Sequence, residues 1–302
     1  LTRIGYDKIL SGGKSYTVWA PTNEALQGMD PDVVADTAKL HLFVANHIAN
    51  QSYFTANIQT SIRVRTLNGK NVTFTSTTVE DANVTAADIY VKNGVLNIID
   101  KPLTPKLNIS DYIRSLTTVG LLHKGYITGE DTTYTDTTKA TVDHIDPLTG
   151  NPVLVAGTGQ VTLNKYFNKV ASLDAEDSTY TYFVLTDDAY NAELDKEKQY
   201  FATETNDVDT TTRLTAFNIL KDVAIRGKVL KADLASGLIS VKGVPVTINP
   251  ADIVQTYDAS NGIVYVVNNI GFNIHDKIPV ITIQCVQPSF YASKDQTSKI
   301  NF

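Results

Sequence analysis

The chain has 302 residues, of which 42% are hydrophobic and 19% charged, a globular composition with enough length for two domains that each bury a core. Its formal net charge is −6 and no Lys/Arg cluster interleaves with aromatic residues, which argues against a nucleic-acid partner and an anionic membrane surface. No apolar run is long enough to span a bilayer. The single cysteine, Cys285, cannot form an internal disulfide, and we expect it to be a small buried strand residue.

The first hundred residues predict short helices followed by strands. Pro21 stops an early strand, and Thr22 is placed to cap the next helix. Apolar residues recur at helical spacing over 32–50, which predicts one or two helices with a single buried face. Asn68 and Gly69 lie between two alternating runs and predict a hairpin. The predicted elements are a helix over 4–10, a strand over 15–20, the helices within 32–50, hairpin strands over 62–67 and 72–75, and strands over 86–90 and 95–100.

The rest of the chain predicts similar elements with one addition. A stretch rich in Thr, Asp and Gly, at about 124–160, is an insertion that the first part lacks, and such long connections are often functional or disordered. Turn residues at 146–151 predict a protruding hairpin within it. The other predicted elements are helices over 110–122 and near 163–173, a strand over 180–185 capped by Thr186, helices to about Val223, and a strand pair around 242–248.

The chain also repeats itself. Segment 17–26 aligns without gaps with 181–190, and 93–100 aligns with 261–268, in the same order and at nearly the same separation. A repeat of this size predicts two copies of one domain. We expect the first domain at 1–105, trimmed at its amino terminus, the second at 106–283, and a carboxyl-terminal tail or linker at 284–302.

Four blocks in the first copy resemble the fasciclin (FAS1) domain family. The first block is similar to the family's Thr-Val-Phe-Ala-Pro-Thr-Asn string, with Trp19 in the place of Phe. The second resembles a helix end with a Tyr-His pair, with Asn46 in the Tyr position. The second copy departs from the pattern, because Leu185 replaces a Pro of the first block and Val223 replaces the His. The blocks lie at 17–26, 42–48, 67–70 and 93–105.

The resemblance implies an α+β fold of two tandem domains, each a β-wedge or sandwich flanked by helices. It also implies adhesion or binding at the cell surface rather than catalysis. The expected location is the cell envelope, as an outer-membrane lipoprotein exposed at the surface or as a secreted protein. The expected partner is an extracellular or envelope protein or a glycan, with membrane attachment only through a lipid anchor absent from this chain.

The residues themselves indicate no catalytic or metal site. His41 and His47 are six residues apart and fall on different helix faces, unlike the spacing that zinc sites prefer. No nucleophile elbow and no phosphate-binding loop is present. Acidic clusters at 143–146 and 174–177 lack the spacing of a calcium loop and are expected to be solvated turns. We therefore expect no enzymatic activity, no cofactor and no metal.

Five residues are candidates for partner contact. Asn46, His47 and Ile48 lie at the helix end that the family resemblance implicates; alternatively, His47 caps the helix or bonds a neighbouring loop. Tyr126 and Tyr134 in the insertion offer rings that stack on sugar faces; alternatively, the insertion is a mobile or decorative hairpin.

Three functions follow from these observations. The leading hypothesis is a non-enzymatic adhesion or binding protein. The alternatives are a glycan-capture accessory protein of a bacterial outer-membrane uptake system, and a structural spacer for a missing carboxyl-terminal module. Independently of function, Trp19 is expected in the core of the first domain.

Overall fold

The computed structural model describes residues 1–202 and 207–278, so Cys285 and the predicted tail or linker lie outside the described residues. The fold is α+β, as predicted, with short helices around mixed sheets. The helices are α1 (Tyr6–Leu10), α2 (Asn23–Leu26), α3 (Pro31–Ala35), α4 (Thr37–Asn46), α5 (Ile109–Ser115), α6 (Leu121–Gly129), α7 (Lys165–Lys169), α8 (Asp187–Glu197), α9 (Val208–Leu220) and α10 (Ile274–Lys277). The strands are β1 (Tyr16–Pro21), β2 (Ile48–Ala49), β3 (Ile62–Arg65), β4 (Asn71–Phe74), β5 (Thr78–Val79), β6 (Ala82–Val91), β7 (Gly94–Ile99), β8 (Asp131–Thr135), β9 (Val142–Ile145), β10 (Pro152–Leu154), β11 (Gln160–Asn164), β12 (Tyr180–Leu185), β13 (Ala224–Arg226), β14 (Leu238–Ile239), β15 (Pro245–Thr247), β16 (Ile253–Ala259), β17 (Gly262–Val267) and β18 (Gly271–Phe272).

Elements α1 to β7 form the first unit, around a seven-stranded sheet in the order β2-β1-β7-β6-β5-β4-β3. Strands β1 and β7 pair in parallel, and the other pairs are antiparallel. The predicted hairpin over Asn68 and Gly69 is confirmed as β3 and β4. Trp19 is fully buried, as predicted, and packs edge-on against Phe74 at a centroid distance of 5.2 Å. This pair lies in the core that holds the sheet together.

Elements α5 to α10 form the second unit. Its main sheet has the order β13-β12-β17-β16, with β12 and β17 parallel, and a separate three-stranded sheet has the order β14-β15-β18. The predicted cap is confirmed, because the Thr186 hydroxyl accepts the Ala189 N–H as Thr22 accepts that of Ala25. In both units, therefore, two central strands pair in parallel, and the first of these strands leads into a capped helix.

The repeat extends to side-chain hydrogen bonds. Thr17 donates to the Gln51 carbonyl and accepts from the Tyr53 N–H, and Thr181 makes the same pair of bonds in the second unit. Gly94 is needed for close approach, since a Cβ there would lie 1.9 Å from the Tyr16 carbonyl oxygen. Gly262 is its counterpart in the second unit, where a Cβ would lie 1.8 Å from the Tyr180 carbonyl oxygen. The repeated sequence thus encodes the same backbone packing twice.

One prediction fails at the start of the second unit. The expected continuous helix over 110–122 is two helices, α5 and α6, and α6 runs into the segment predicted to be an insertion. Gly120, the N-cap residue of α6, has a left-handed conformation with φ 65°, and a Cβ on it would lie 2.6 Å from Val184 Cγ1. The chain therefore turns at a glycine packed against β12, which a single-helix periodicity does not reveal.

The projecting segment is a two-part arm over 131–164. Strands β8 and β11 pair as its base, and β9 and β10 pair as the predicted hairpin at its tip. Most arm residues are exposed, including Leu148 at the turn, which is 93% exposed. Because so few of its residues are buried, the arm depends on the α6 and α7 ends for its attachment.

Polar contacts join the two units. The Arg63 guanidinium donates to Thr179 Oγ1 at 2.5 Å, to the Ser260 carbonyl at 2.8 Å and to the Glu176 carbonyl at 3.1 Å. Lys70 pairs with Glu176 at 3.0 Å. The cluster at 174–177, expected to be a solvated turn, is instead part of this junction. Bonds from one guanidinium to three acceptors favour a defined relative orientation of the units.

Candidate functional site

Asn46 and His47 together hold one backbone unit, that of Leu103. His47 Nε2 accepts the Leu103 N–H at 2.8 Å, and Asn46 Nδ2 donates to the Leu103 carbonyl at 3.1 Å. His47 Nδ1 lies 2.8 Å from the Phe43 carbonyl, so the ring carries its proton on Nδ1. Burial lowers the pKa of His47 to about 4, against the smaller opposing effect of the bond to Phe43, and the ring is neutral at physiological pH.

The burial of this helix end changes the interpretation of three candidate residues. Asn46, His47 and Ile48 are 1%, 5% and 1% exposed. Their side chains therefore lie inside the first unit and are out of reach of a partner in this structure. The alternative reading of His47, as a residue that bonds a neighbouring loop, matches the observed contact with Leu103. These residues position the surface next to them.

That surface is an apolar groove of 430 Å³. Leu42 is 52% exposed beside it, and Asp30 and Lys39 place one charge of each sign on its lining. The groove depends on the bonds to Leu103, because that residue lies between Pro102 and Thr104, which form one wall. The apolar lining residues are Met29, Val33, Leu42, Phe43, Pro102 and Pro105.

The second unit has no such arrangement. Val223 occupies the His47 position, since its carbonyl accepts from Phe183 N as that of His47 accepts from Trp19 N. The preceding residue is Asp222, where the first unit has Asn46. The departure from the family pattern at Val223 therefore removes the imidazole at this point of the second unit.

A different histidine, His123, is buried in the second unit and was not singled out from the sequence. Its Nε2 lies 2.8 Å from the Tyr182 hydroxyl, and its Nδ1 accepts the Leu185 N–H at 3.1 Å. Burial lowers its pKa to about 3. His123 therefore connects α6 to β12 through hydrogen bonds. In the sequence, only the break between α5 and α6 could have indicated that the His123 side chain faces inward.

The two candidate tyrosines lie in different surroundings. Tyr126 is half-buried on α6, edge-on to Tyr166, and lines a cavity of 370 Å³ together with Tyr190, Asn191 and Arg213. Burial raises the pKa of Tyr126 above its usual value and that of Tyr190 to about 12, so both hydroxyls are protonated. Tyr134 lies on β8 and is 45% exposed. Tyr126 therefore belongs to a concave site.

The arm is amphipathic. At its base, Tyr134 pairs across the ladder with Val161, whereas neighbouring Thr133 pairs with Thr162. Strand alternation therefore puts Tyr134 and Val161 on one face and the threonines on the other. At the tip, Ile145 pairs with Pro152 and Val142 with Leu154. Because the ladder shifts by one residue between Val153 and Leu154, both of these apolar pairs share one face.

The arm is also acidic. Its four aspartates, at positions 131, 136, 143 and 146, stand against one lysine. Asp131 is bound by Arg114 at its base, with N···O distances of 2.7 and 2.8 Å, and the other three lie farther along the arm. The arm thus combines exposed apolar side chains with an excess of negative charge.

Within residues 1–202 and 207–278, no group of three or more His, Cys, Asp or Glu side chains is arranged so that it could hold a metal ion. Among the helices of that same part of the chain, none is long and apolar enough to cross a membrane.

The fold is a pair of related α+β units that expose apolar side chains on the groove and on the arm. Residues 1–105 match the family model of the fasciclin domain. The chain is 30% identical over 112 residues to pig (Sus scrofa) transforming growth factor-beta-induced protein ig-h3, which covers 34% of this chain and 16% of that protein. The rabbit (Oryctolagus cuniculus) protein of the same name is 29% identical over 102 residues, or 31% of this chain and 15% of that protein. The chain thus spans about a sixth of the length of these curated relatives.

Among solved structures, a FAS1 domain pair from the insect cell adhesion molecule fasciclin I covers 92% of this chain and 95% of its own length, with 17% identity and a TM-score of 0.33. The resemblance to the fasciclin family is confirmed, with the family-model match on the first unit. Fasciclin domains are typically adhesion or binding modules and not enzymes, and fasciclin homologues are extracellular or cell-surface proteins.

Proposed function

We propose that this protein is a non-enzymatic adhesion or binding protein of the cell envelope, in which the arm of the second unit contacts a protein partner. The observation that carries the proposal is the arm itself: an exposed, amphipathic structure whose apolar side chains its own unit does not cover. Exposed apolar patches with polar rims mark interaction sites. Attachment as a lipid-anchored outer-membrane protein, or secretion, is part of the proposal, as is the extent of the second domain over 106–283.

The charge of the arm specifies the partner's chemistry. Three aspartates lie along the arm beyond its base, so a complementary surface is apolar and carries Lys or Arg side chains. Such complementarity acts mainly on association rate and specificity, and added salt screens it. The partner is therefore proposed to be an extracellular or envelope protein with a basic rim.

The groove of the first unit and the junction support the same proposal in a different way. Arg63 and its acceptors favour one orientation of the units, so the groove and the arm are presented together. Two weak contacts on one scaffold bind more tightly than either alone when both can engage. This arrangement suits adhesion to a surface that displays many copies of a partner.

The test compares two neighbouring residues on opposite faces of the arm. Ile145→Ser removes an apolar group from the proposed contact face, and His144→Ser changes the other face as the matched control. Binding of the purified full chain to intact cells and to the envelope fraction is measured at low and high salt. Salt-sensitive binding that Ile145→Ser weakens at least about tenfold, equivalent to about 1.4 kcal/mol, supports the proposal. Equal binding by both variants overturns it.

A glycan is the second candidate partner, favoured by the cavity at Tyr126. Two tyrosines beside Asn191 and Arg213 combine aromatic faces with hydrogen-bonding groups, as sugar sites do. Tyr126→Ala should abolish binding on a glycan array, whereas removal of residues 137–158, the outer arm, should leave it intact. An array without any bound glycan would rule out the glycan-capture role, and the loss of both activities would favour a structural spacer.

A further inference from the structure

A cluster of three ionisable side chains is buried in the second unit. Lys277 on α10 places its Nζ 3.2 Å from Glu197 Oε1 and 3.6 Å from Asp222 Oδ2. The side chains are 1%, 0% and 0% exposed. An amine and two carboxyl groups thus meet within a few ångströms without access to water.

The cluster is poorly satisfied as a set of hydrogen bonds. Lys277 Nζ, both Glu197 oxygens and Asp222 Oδ2 are buried without a partner in hydrogen-bonding geometry. The other Asp222 oxygen, Oδ1, accepts from the Ser240 hydroxyl at 2.8 Å. The Phe272 ring lies 3.7 Å from Lys277 Nζ and closes the apolar side. Buried charges without good hydrogen bonds are costly, so a structure that keeps three of them calls for a chemical reason.

Burial also favours the uncharged forms of two of these groups. It lowers the pKa of Lys277, against the opposing attraction of Glu197 and Asp222. It raises the pKa of Glu197, against the attraction of Lys277. Lys221, Lys196 and Glu193 are the other charged groups that act on the cluster, and Lys196 is itself paired with Glu193 at 3.2 Å. An uncharged amine is the nucleophilic form of a lysine.

We propose that Lys277 and Asp222 condense to form an intramolecular isopeptide bond, with Glu197 as the catalytic proton carrier. A proton passes from the Lys277 ammonium to Asp222, and the free amine attacks Asp222 Cγ. The Ser240 hydroxyl stabilises the negative charge that develops on Oδ1. Glu197 takes a proton from the nitrogen and delivers it to Oδ2, which leaves as water. One C–N bond forms, one C–O bond breaks, Glu197 returns to its starting state, and no redox change occurs.

The product explains the site better than an ion pair does. The condensation removes one amine and one carboxyl group and leaves a neutral amide, so the burial cost of two charges disappears. The bond ties α10 to Asp222, two residues beyond the end of α9, and closes a long loop covalently, which restricts the unfolded chain. In the first unit Asn46 stands at the Asp222 position and binds the Leu103 carbonyl instead. The reactive set therefore belongs to the second unit alone.

Intact-mass measurement of the purified full chain tests the proposal directly. The expected mass is lower than that of the linear sequence by one water molecule, and it persists after denaturation. Trypsin should then release peptide 222–226 joined to a peptide that runs from residue 243 through an uncleaved Lys277 to residue 294. An unshifted mass in the folded protein, or a water loss that maps to other residues, overturns the proposal.

Three variants separate the roles. Lys277→Met should have the linear mass, and Glu197→Gln should also have it while its circular dichroism spectrum matches the wild type. Asp222→Asn should still cross-link but lose ammonia instead of water, because the amide then supplies the leaving group. A complete water loss in Glu197→Gln would refute the assignment of Glu197, and a water loss in Lys277→Met would refute the bond itself.

Discussion

Mild acid should destabilise the first unit through the single buried imidazole of His47. The folded state needs the neutral ring, because Nε2 accepts the Leu103 N–H in a site from which water is excluded. Its pKa falls from 6.5 to about 4, mainly through burial. Between these values the unfolded chain binds more protons than the folded chain, so stability falls as the pH falls.

The pKa values define both the window and the size of the effect. The contribution of the neutral ring is complete above pH 6.5, decreases as the pH is lowered, and is lost below about pH 4. The whole difference corresponds to about 3 kcal/mol, of which about 2 kcal/mol is lost by pH 5. Hydrogen bonds hold the pKa of Asp36 and Asp100 below 3.8, so these carboxylates lose their contribution only at lower pH.

Trp19 provides the assay, because it is the only tryptophan and lies in the core of the first unit. Its fluorescence is followed in urea titrations at pH values from about 7 to 5. His47→Gln keeps an acceptor for the Leu103 N–H but does not titrate, so its dependence on pH should be smaller by about 2 kcal/mol over this range. His144→Gln, at an exposed position, is the control. Equal pH dependence in the wild type and His47→Gln would refute the reasoning.

Two further predictions concern packing and the junction. Trp19→Ala should lower the free energy of unfolding by about 3–5 kcal/mol, because it leaves a cavity at a fully buried site against Phe74. Circular dichroism in denaturant measures the change. A loss below about 1 kcal/mol would place the ring outside the core. Arg63→Ala should remove three charged hydrogen bonds between the units, cost about 1–3 kcal/mol, and separate the two unfolding transitions in calorimetry. Arg3→Ala, whose guanidinium bonds only within the first unit, should leave the transitions as they are.

The site residues show where sequence-based reasoning stops. The family blocks singled out Asn46 and His47 but could not say that both side chains point inward to one backbone unit. That depends on the segment after β7, with Leu103, packing against the end of α4, more than 50 positions earlier in the chain. The groove was not predicted, because one wall comes from α3 and α4 and the other from the segment after β7, which is distant from them in sequence.

The buried cluster around Lys277 was missed for the same reason. Lys277, Glu197 and Asp222 are far apart in the chain, and each alone looks like an ordinary surface charge. Helical spacing gave no sign that the ends of α8, α9 and α10 converge on Phe272. Long-range packing determines which charged residues lose water, and local patterns carry little of that information.

Local chemistry was nevertheless enough for much of the protein. The caps at Thr22 and Thr186, the turn at Gly69 and the hairpin at the tip of the arm follow from neighbouring residues, and the blocks of the first unit indicated its resemblance to the fasciclin domain. These features depend on backbone conformations and hydrogen bonds within a few positions. Tertiary structure alone decided that β1 and β7 pair in parallel, that α5 and α6 are separate, that His47 is neutral, and that a lysine is buried between two carboxyl groups. Each of these arises from contacts between distant segments, where burial, and not residue type, sets the chemistry.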